Sequence, residues 1–106
     1  MATTILITGA TGFIGSALKD SLSHAGYRVY GTTTGRLAPG MFSVDITKRN
    51  AFSSIACRPG IIIHLAAARE EYGSERKNLQ MCTAINVRGT AHVAAFAARC
   101  HARQFI

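Results

Sequence analysis

Residues 5–15 read Ile5-Leu6-Ile7-Thr8-Gly9-Ala10-Thr11-Gly12-Phe13-Ile14-Gly15, and this stretch decides how the rest of the chain is read. A short apolar strand runs into three glycines spaced G-x-x-G-x-x-G, one residue wider between the first two than the G-x-G-x-x-G spelling. An amphipathic helix follows at once. Gly9 lets the chain turn sharply out of the strand, Gly12 lets backbone approach a pyrophosphate with no Cβ between, and Gly15 lets the new helix pack closely. The amides at the helix N-terminus, aided by the helix dipole, then face an anion.

Composition sets bounds around that turn. The chain has 106 residues, enough for one small domain, and 48% of them are hydrophobic, which suits a packed interior and excludes a disordered polymer. Its longest apolar runs, 61–63 and 65–68, are far too short to span a bilayer. No basic n-region precedes the first apolar run, so no signal peptide and no membrane are expected. Cys57, Cys82 and Cys100 lack metal-type spacing and suggest reduced thiols of a cytoplasmic protein, acting as small apolar filler. The formal charge of +7 is high for this length. Lys and Arg are scattered, with no alternation with aromatics as in a nucleic-acid groove, so a phosphate-bearing ligand is favoured over nucleic acid.

Beyond the turn, strand-like and helix-like segments alternate, which argues for a parallel α/β sheet covered by helices. Strands are expected at 3–8, 27–32, 41–44 and 61–66, the last apolar on both faces apart from His64. The first helix is expected over 12–25, with Ile14, Leu18, Leu22 and Ala25 on one face and Gly26 as its stop. A short helix is expected over 48–57, before the Arg58-Pro59-Gly60 turn. After a polar loop over 68–78, a long helix is expected over 79–101. There Cys82, Ile85, Gly89, Val93, Phe96 and Cys100 recur at steps of three and four. Gly89 in mid-helix costs stability, and close approach to the sheet is the expected return. Gln104-Phe105-Ile106 opens a fifth strand.

By this point the chain resembles the N-terminal part of an extended short-chain dehydrogenase/reductase, the group of NAD(P)-dependent nucleotide-sugar epimerases, dehydratases and reductases. Four segments carry the resemblance, in the family's order: 8–15, Val44-Asp45-Ile46, Ile63-His64-Leu65-Ala66-Ala67 and Asn86-Val87-Arg88-Gly89-Thr90. It implies a Rossmann-type doubly wound parallel sheet, truncated near the start of strand five. It also implies cofactor contacts from Gly9, Thr11, Gly12, Phe13, Ile14 and Gly15. The Asp45 carboxylate would accept from the adenine amino group while the Ile46 backbone supports the ring. Asp45 also reads as an N-cap-like residue, and both roles can hold together. Leu65, Ala66 and Ala67 sit at the carboxyl end of strand four, where open α/β sheets place ligands, or serve tight packing alone. Asn86 would tie the surrounding loops together by hydrogen bonds. His64 reads as a core histidine bonded to backbone rather than as a catalytic base.

The expected cofactor is NADP or NAD, with NADP favoured; if Arg36 is only a solvated loop residue, NAD is bound by other contacts. An NAD enzyme usually ends strand two with Asp or Glu on the ribose 2′-hydroxyl. Here that position is Thr33, followed by Thr34, with Arg36 close enough to pair with a 2′-phosphate. Arg69, after the ligand-edge turn, is a further candidate contact. Similar enzymes use a Ser or Thr just after strand five and a Tyr-x-x-x-Lys pair on the next helix. Neither lies within this chain; Tyr72 with Arg76 is on the wrong element and has the wrong cation. The expectation is a partial dinucleotide-binding domain over 1–106, inactive by itself, whose parent acts on a nucleotide-sugar-like substrate. The alternative is a non-catalytic NAD(P)-binding sensor of the same fold. An incomplete sheet edge also predicts pairing with a second copy of the chain.

Overall fold

The computed structural model describes residues 3–68 and 75–106. Five parallel strands form one sheet: β1 (Thr4–Thr8), β2 (Arg28–Thr33), β3 (Met41–Ser43), β4 (Ile61–His64) and β5 (Gln104–Phe105), in the order β3-β2-β1-β4-β5. The order reverses beside β1, whose neighbours β2 and β4 are in register as Ile5 with Val29 and Ile5 with Ile61. Successive crossovers therefore leave β1 in opposite directions and the sheet is covered on both faces.

Strand alternation divides the core. Ile5, Ile7 and Ala10 face one way and meet Leu18 and Leu22 of α1 (Phe13–His24). Leu6 and Ile62 face the other way and meet Val93, Phe96 and Ala97 of α3 (Thr90–Arg99), with Val44, Ile46 and Phe52 closing the cluster. Phe52 stacks on Phe96 with centroids 4.6 Å apart and rings 15° from parallel. Such a pair adds to the area it buries.

The helices depart from expectation in instructive ways. On α1 only Leu18 and Leu22 reach the core, whereas Ile14 is 65% exposed and Ala25 lies at the surface. The helix stops where Gly26 allows, and the Tyr27 N–H reaches back to the Leu22 carbonyl. The expected helix over 48–57 is instead a run of separate turns. Lys48 bonds back to Asp45, Ala51 to Lys48, Ser53 to Asn50 and Ile55 to Phe52, each three residues apart. The Ser53 hydroxyl also donates to the Asn50 carbonyl, the local side-chain competition that weakens helices.

The long helix starts at α2 (Glu75–Cys82), earlier than expected, and widens into a π-helical segment (Thr83–Gly89) before α3. Its inner face carries Ile85, Gly89, Val93 and Phe96, as the spacing predicts. Gly89 is needed there, but against a different neighbour. A Cβ at that position would stand 2.6 Å from Ile46 Cδ1, so the close approach is to the segment after β3 and not to the strands. No helix of the described residues is long and apolar enough to cross a membrane.

Leu6 is fully buried and Leu79 is 69% exposed. Leu6→Ala should therefore cost about 2–5 kcal/mol in urea unfolding, and Leu79→Ala no more than about 0.5 kcal/mol. Equal losses would contradict this core.

Candidate functional site

A cleft of about 430 Å³ opens at the carboxyl ends of β1, β2 and β4, on the side where the strand order reverses. Its floor is the glycine turn. Gly9 has φ +69°, and a Cβ there would meet the Ala66 nitrogen at 2.9 Å, so a larger residue would be strained and would also collide with backbone. Gly15 is buried below it, where a Cβ would lie 2.2 Å from the Gly9 carbonyl oxygen. The third glycine thus seats the helix on the turn itself. Gly12 is the N-cap of α1, with no side-chain cap bond and no acidic residue in the first turn. The first amides of α1 are left to a ligand.

The second wall comes from the end of β2. The Thr33 hydroxyl accepts the Gly35 N–H at 2.9 Å and lies 3.2 Å from the Thr11 hydroxyl. Thr33 is buried, so it shapes this loop and ties it to the glycine turn; Thr34 and Gly35 present the lining.

The third wall is Val44-Asp45-Ile46. Asp45 Oδ1 accepts both the Thr47 N–H at 3.0 Å and the Thr47 hydroxyl at 2.6 Å. Those two bonds, first the hydroxyl and then the amide, hold the carboxyl below its ordinary 3.8. The cap-like role expected of Asp45 is met on a turn.

The fourth wall is Leu65-Ala66-Ala67, and a chain of hydrogen bonds fixes it. The Thr8 hydroxyl accepts the Leu65 N–H at 3.0 Å and the Ala66 N–H at 3.2 Å. It lies 2.7 Å from His64 Nδ1. On the far side of the ring, His64 Nε2 lies 2.9 Å from the Thr90 hydroxyl, which donates to the Asn86 carbonyl at 2.7 Å. That donation uses the one Thr90 proton, so Nε2 must carry a hydrogen and donate. Neutral His64 is then an acceptor at Nδ1, and Thr8 donates to it. Burial lowers the His64 pKa from 6.5, which favours this neutral form. The ring is thus held by two hydroxyls and not by backbone, as had been expected.

Several expected contacts stand elsewhere. Phe13 and Ile14 are 94% and 65% exposed, and neither lines the cleft. Gly15 acts from beneath. Arg36 is exposed on the loop past Gly35 and does not line the cleft. The Asn86 side chain is occupied with Ala68, accepting its N–H at 2.8 Å and donating to its carbonyl at 3.1 Å. It anchors the exit of the fourth wall, much as the family resemblance implies, but from an exposed position on the π-helical segment. Arg69 and Tyr72 lie outside the described residues. Sequence reading missed Thr32, Gly35, Val44 and Ile85, which complete the lining. Val44 and Thr32 adjoin predicted residues. Ile85 reaches the cleft from the π-helical segment, and its place on the apolar helix face was the available signal.

A 3-2-1-4-5 parallel sheet, a glycine turn feeding a helix and a cleft at the strand-order reversal together define the Rossmann class. The chain belongs to the NAD dependent epimerase/dehydratase family, whose family model matches residues 5–106. An uncharacterised oxidoreductase of Schizosaccharomyces pombe is 36% identical over 78 residues, covering 59% of this chain and 23% of that protein. The structure of a UDP-galactose 4-epimerase superposes with a TM-score of 0.81 at 26% identity, over 97% of this chain and 37% of the other. A short-chain dehydrogenase/reductase superfamily protein of Agrobacterium tumefaciens with bound NAD gives 0.78 at 27% identity, over 96% and 31%. The chain therefore spans about a third or less of the length of these relatives.

Because Asp45 titrates below its ordinary value, its stabilising contribution is complete above pH 3.8 and is lost as pH falls through the lowered pKa. Thr47→Val removes the hydroxyl donor, the larger cause. The Asp45 pKa, followed by carboxyl-carbon NMR, should then rise toward 3.8. An unmoved pKa would show that the turn does not hold this carboxylate.

Proposed function

We propose that the cleft receives the adenosine-diphosphate half of a nicotinamide dinucleotide. The observation that carries this is the uncapped N-terminus of α1, opening over Gly9 and Gly12 into the cleft. A pyrophosphate there would accept from the free amides of the first turn and complement the helix dipole. The carboxylate of Asp45 suits an exocyclic amino group, and the Ile46 backbone offers a support for a flat ring. Ala66 and Ala67 bring backbone close to the ligand with little side chain between.

NADP is the form we assign. The end of β2 presents Thr33, Thr34 and Gly35, with no carboxylate to hold a 2′-hydroxyl or repel a 2′-phosphate. Arg36 follows directly on a loop exposed enough to swing toward the ligand. The parent protein would use the dinucleotide for redox or epimerisation of a nucleotide-linked sugar or a similar alcohol or ketone. When bound, the nicotinamide would supply hydride transfer. The 106 residues bind and orient the other half of the cofactor and, lacking a Tyr-x-x-x-Lys pair, turn nothing over.

Two measurements test this. A Cβ at Gly12 has the Gly9 carbonyl oxygen at 3.3 Å as its nearest neighbour, so the fold tolerates it far better than it would at Gly15. Gly12→Val should abolish dinucleotide binding in calorimetry while thermal unfolding stays cooperative; unchanged affinity would remove the basis for this reading. For the cofactor type, NADP should bind more tightly than NAD, and Arg36→Ala should weaken NADP alone by about tenfold, or 1.4 kcal/mol. A preference for NAD in the unaltered chain would refute the NADP assignment.

A further inference from the structure

We propose that the protonation state of His64 controls the fourth wall of the cleft: the neutral ring lets the Thr8 hydroxyl hold the Ala66 amide in place for a dinucleotide, and the protonated ring releases it. This rests on reading the cleft as a dinucleotide site.

The argument is one of counting protons. The Thr8 hydroxyl has one hydrogen and two lone pairs. Both lone pairs are taken, by the Leu65 and Ala66 N–H groups, and the hydrogen goes to His64 Nδ1. Protonating Nδ1 turns that acceptor into a donor. Thr8 would then face three donors with two lone pairs, and its own hydrogen would lose its partner. Thr8 is fully buried, so water cannot readily repair the mismatch. The Nε2 side offers no relief, because the Thr90 proton is committed to the Asn86 carbonyl. The group that yields is the Ala66 amide, because the Leu65 N–H keeps a second acceptor, the Thr8 carbonyl at 3.2 Å. It is also the backbone against which Gly9 packs, so its movement disturbs the floor of the cleft as well.

The surroundings of the ring leave this proton uncompensated. Among the described residues, Thr8 faces it from β1, Thr90 from α3 and the Phe105 ring from β5, with centroids 6.2 Å apart. An oxygen of Ile106 accepts the His64 backbone N–H at 2.7 Å and does not bond the ring. Burial alone depresses the His64 pKa below 6.5. The lost stabilisation therefore begins as pH falls through about 6.5 and is complete below the lowered folded value. Asp45, the titratable group of the described cleft lining, ionises below 3.8 and stays charged throughout that window.

The probe is NAD, which carries no titrating 2′-phosphate. In calorimetry its Kd should rise as pH is lowered from 7.5, in step with protonation of the His64 ring followed by NMR, since binding is linked to the neutral ring. His64→Asn removes the titrating ring and should abolish the pH dependence of NAD affinity, whatever its absolute affinity. His64→Gln reaches toward Thr90, leaves the Thr8 hydrogen without an acceptor and should bind weakly throughout. In NMR without ligand, the Ala66 amide signal should shift in step with the His64 ring, and should not shift over that range in His64→Asn. A static Ala66 amide during the ring titration, or the same pH dependence in His64→Asn, would overturn the proposal. Absence of NAD binding at every pH alongside a titrating Ala66 amide would instead overturn the site reading and leave the switch standing.

Discussion

β1 and β4 end side by side at the carboxyl edge of the sheet, and the Thr8 hydroxyl joins them. It gathers two amides from the chain leaving β4, while the next residue, Gly9, packs on the same backbone with no room for a Cβ. The cleft exists because these two strands stop together and their continuations part in different directions, one into α1 and the other toward the long helix. A hydroxyl suits this joint because it accepts and donates at once. Valine, nearly the same shape, would leave the Ala66 amide without this acceptor at a cost of about 1–3 kcal/mol, while the Leu65 amide would keep the Thr8 carbonyl at 3.2 Å.

The long helix makes a second joint. Gly89 admits Ile46, and Ile46 is both part of the core cluster and part of the cleft wall. His92, one turn on, anchors the Ile46 carbonyl at 2.6 Å. The segment after β3 has no regular helix of its own, so its position is set by what it packs against. Phe52 stacked on Phe96 fixes its far end in the same way. The π-helical widening lies in this region, between the α-helical stretch that carries Cys82 and the one that carries Val93. It brings Ile85 to the cleft and the Asn86 side chain to Ala68. Insertions of this kind are common where a helix must serve a site as well as a core.

Much of this was legible in the sequence, for reasons that differ by element. Strands were readable because burial on both faces leaves nearly continuous apolar runs, as at Ile61-Ile62-Ile63. The inner face of the long helix was readable from its period. The run over 48–57 was not, because Asn50, Ser53 and Ser54 offer the backbone local partners that a period count ignores. The neighbour of Gly89 was also hidden. A mid-helix glycine announces a close approach but not to what, and the answer lies 43 positions away in Ile46. His64 reads as a core histidine bonded to backbone, yet it is half-buried and its ring partners, the Thr8 and Thr90 hydroxyls, come from elements that only the fold brings together.

The charge of the chain carries a related lesson. A formal +7 suggests a basic pocket for phosphate, yet the described lining of the cleft holds no Lys or Arg, and its charged side chain is Asp45. Arg49, Arg88 and Arg99 line a separate groove with His92, formed between the turns after β3 and the long helix. In the proposed site, an anion would be met by oriented amides instead of ammonium or guanidinium groups. Fixed dipoles suit this position better than a mobile cation would. They are part of the helix, need no reordering when the ligand arrives and leave room for a pyrophosphate to lie against backbone. A Lys at Gly12 would bring charge to the same place and fill the space that the charge is meant to serve. The glycines and the missing cap are therefore one device, in which absent side chains leave the helix end open.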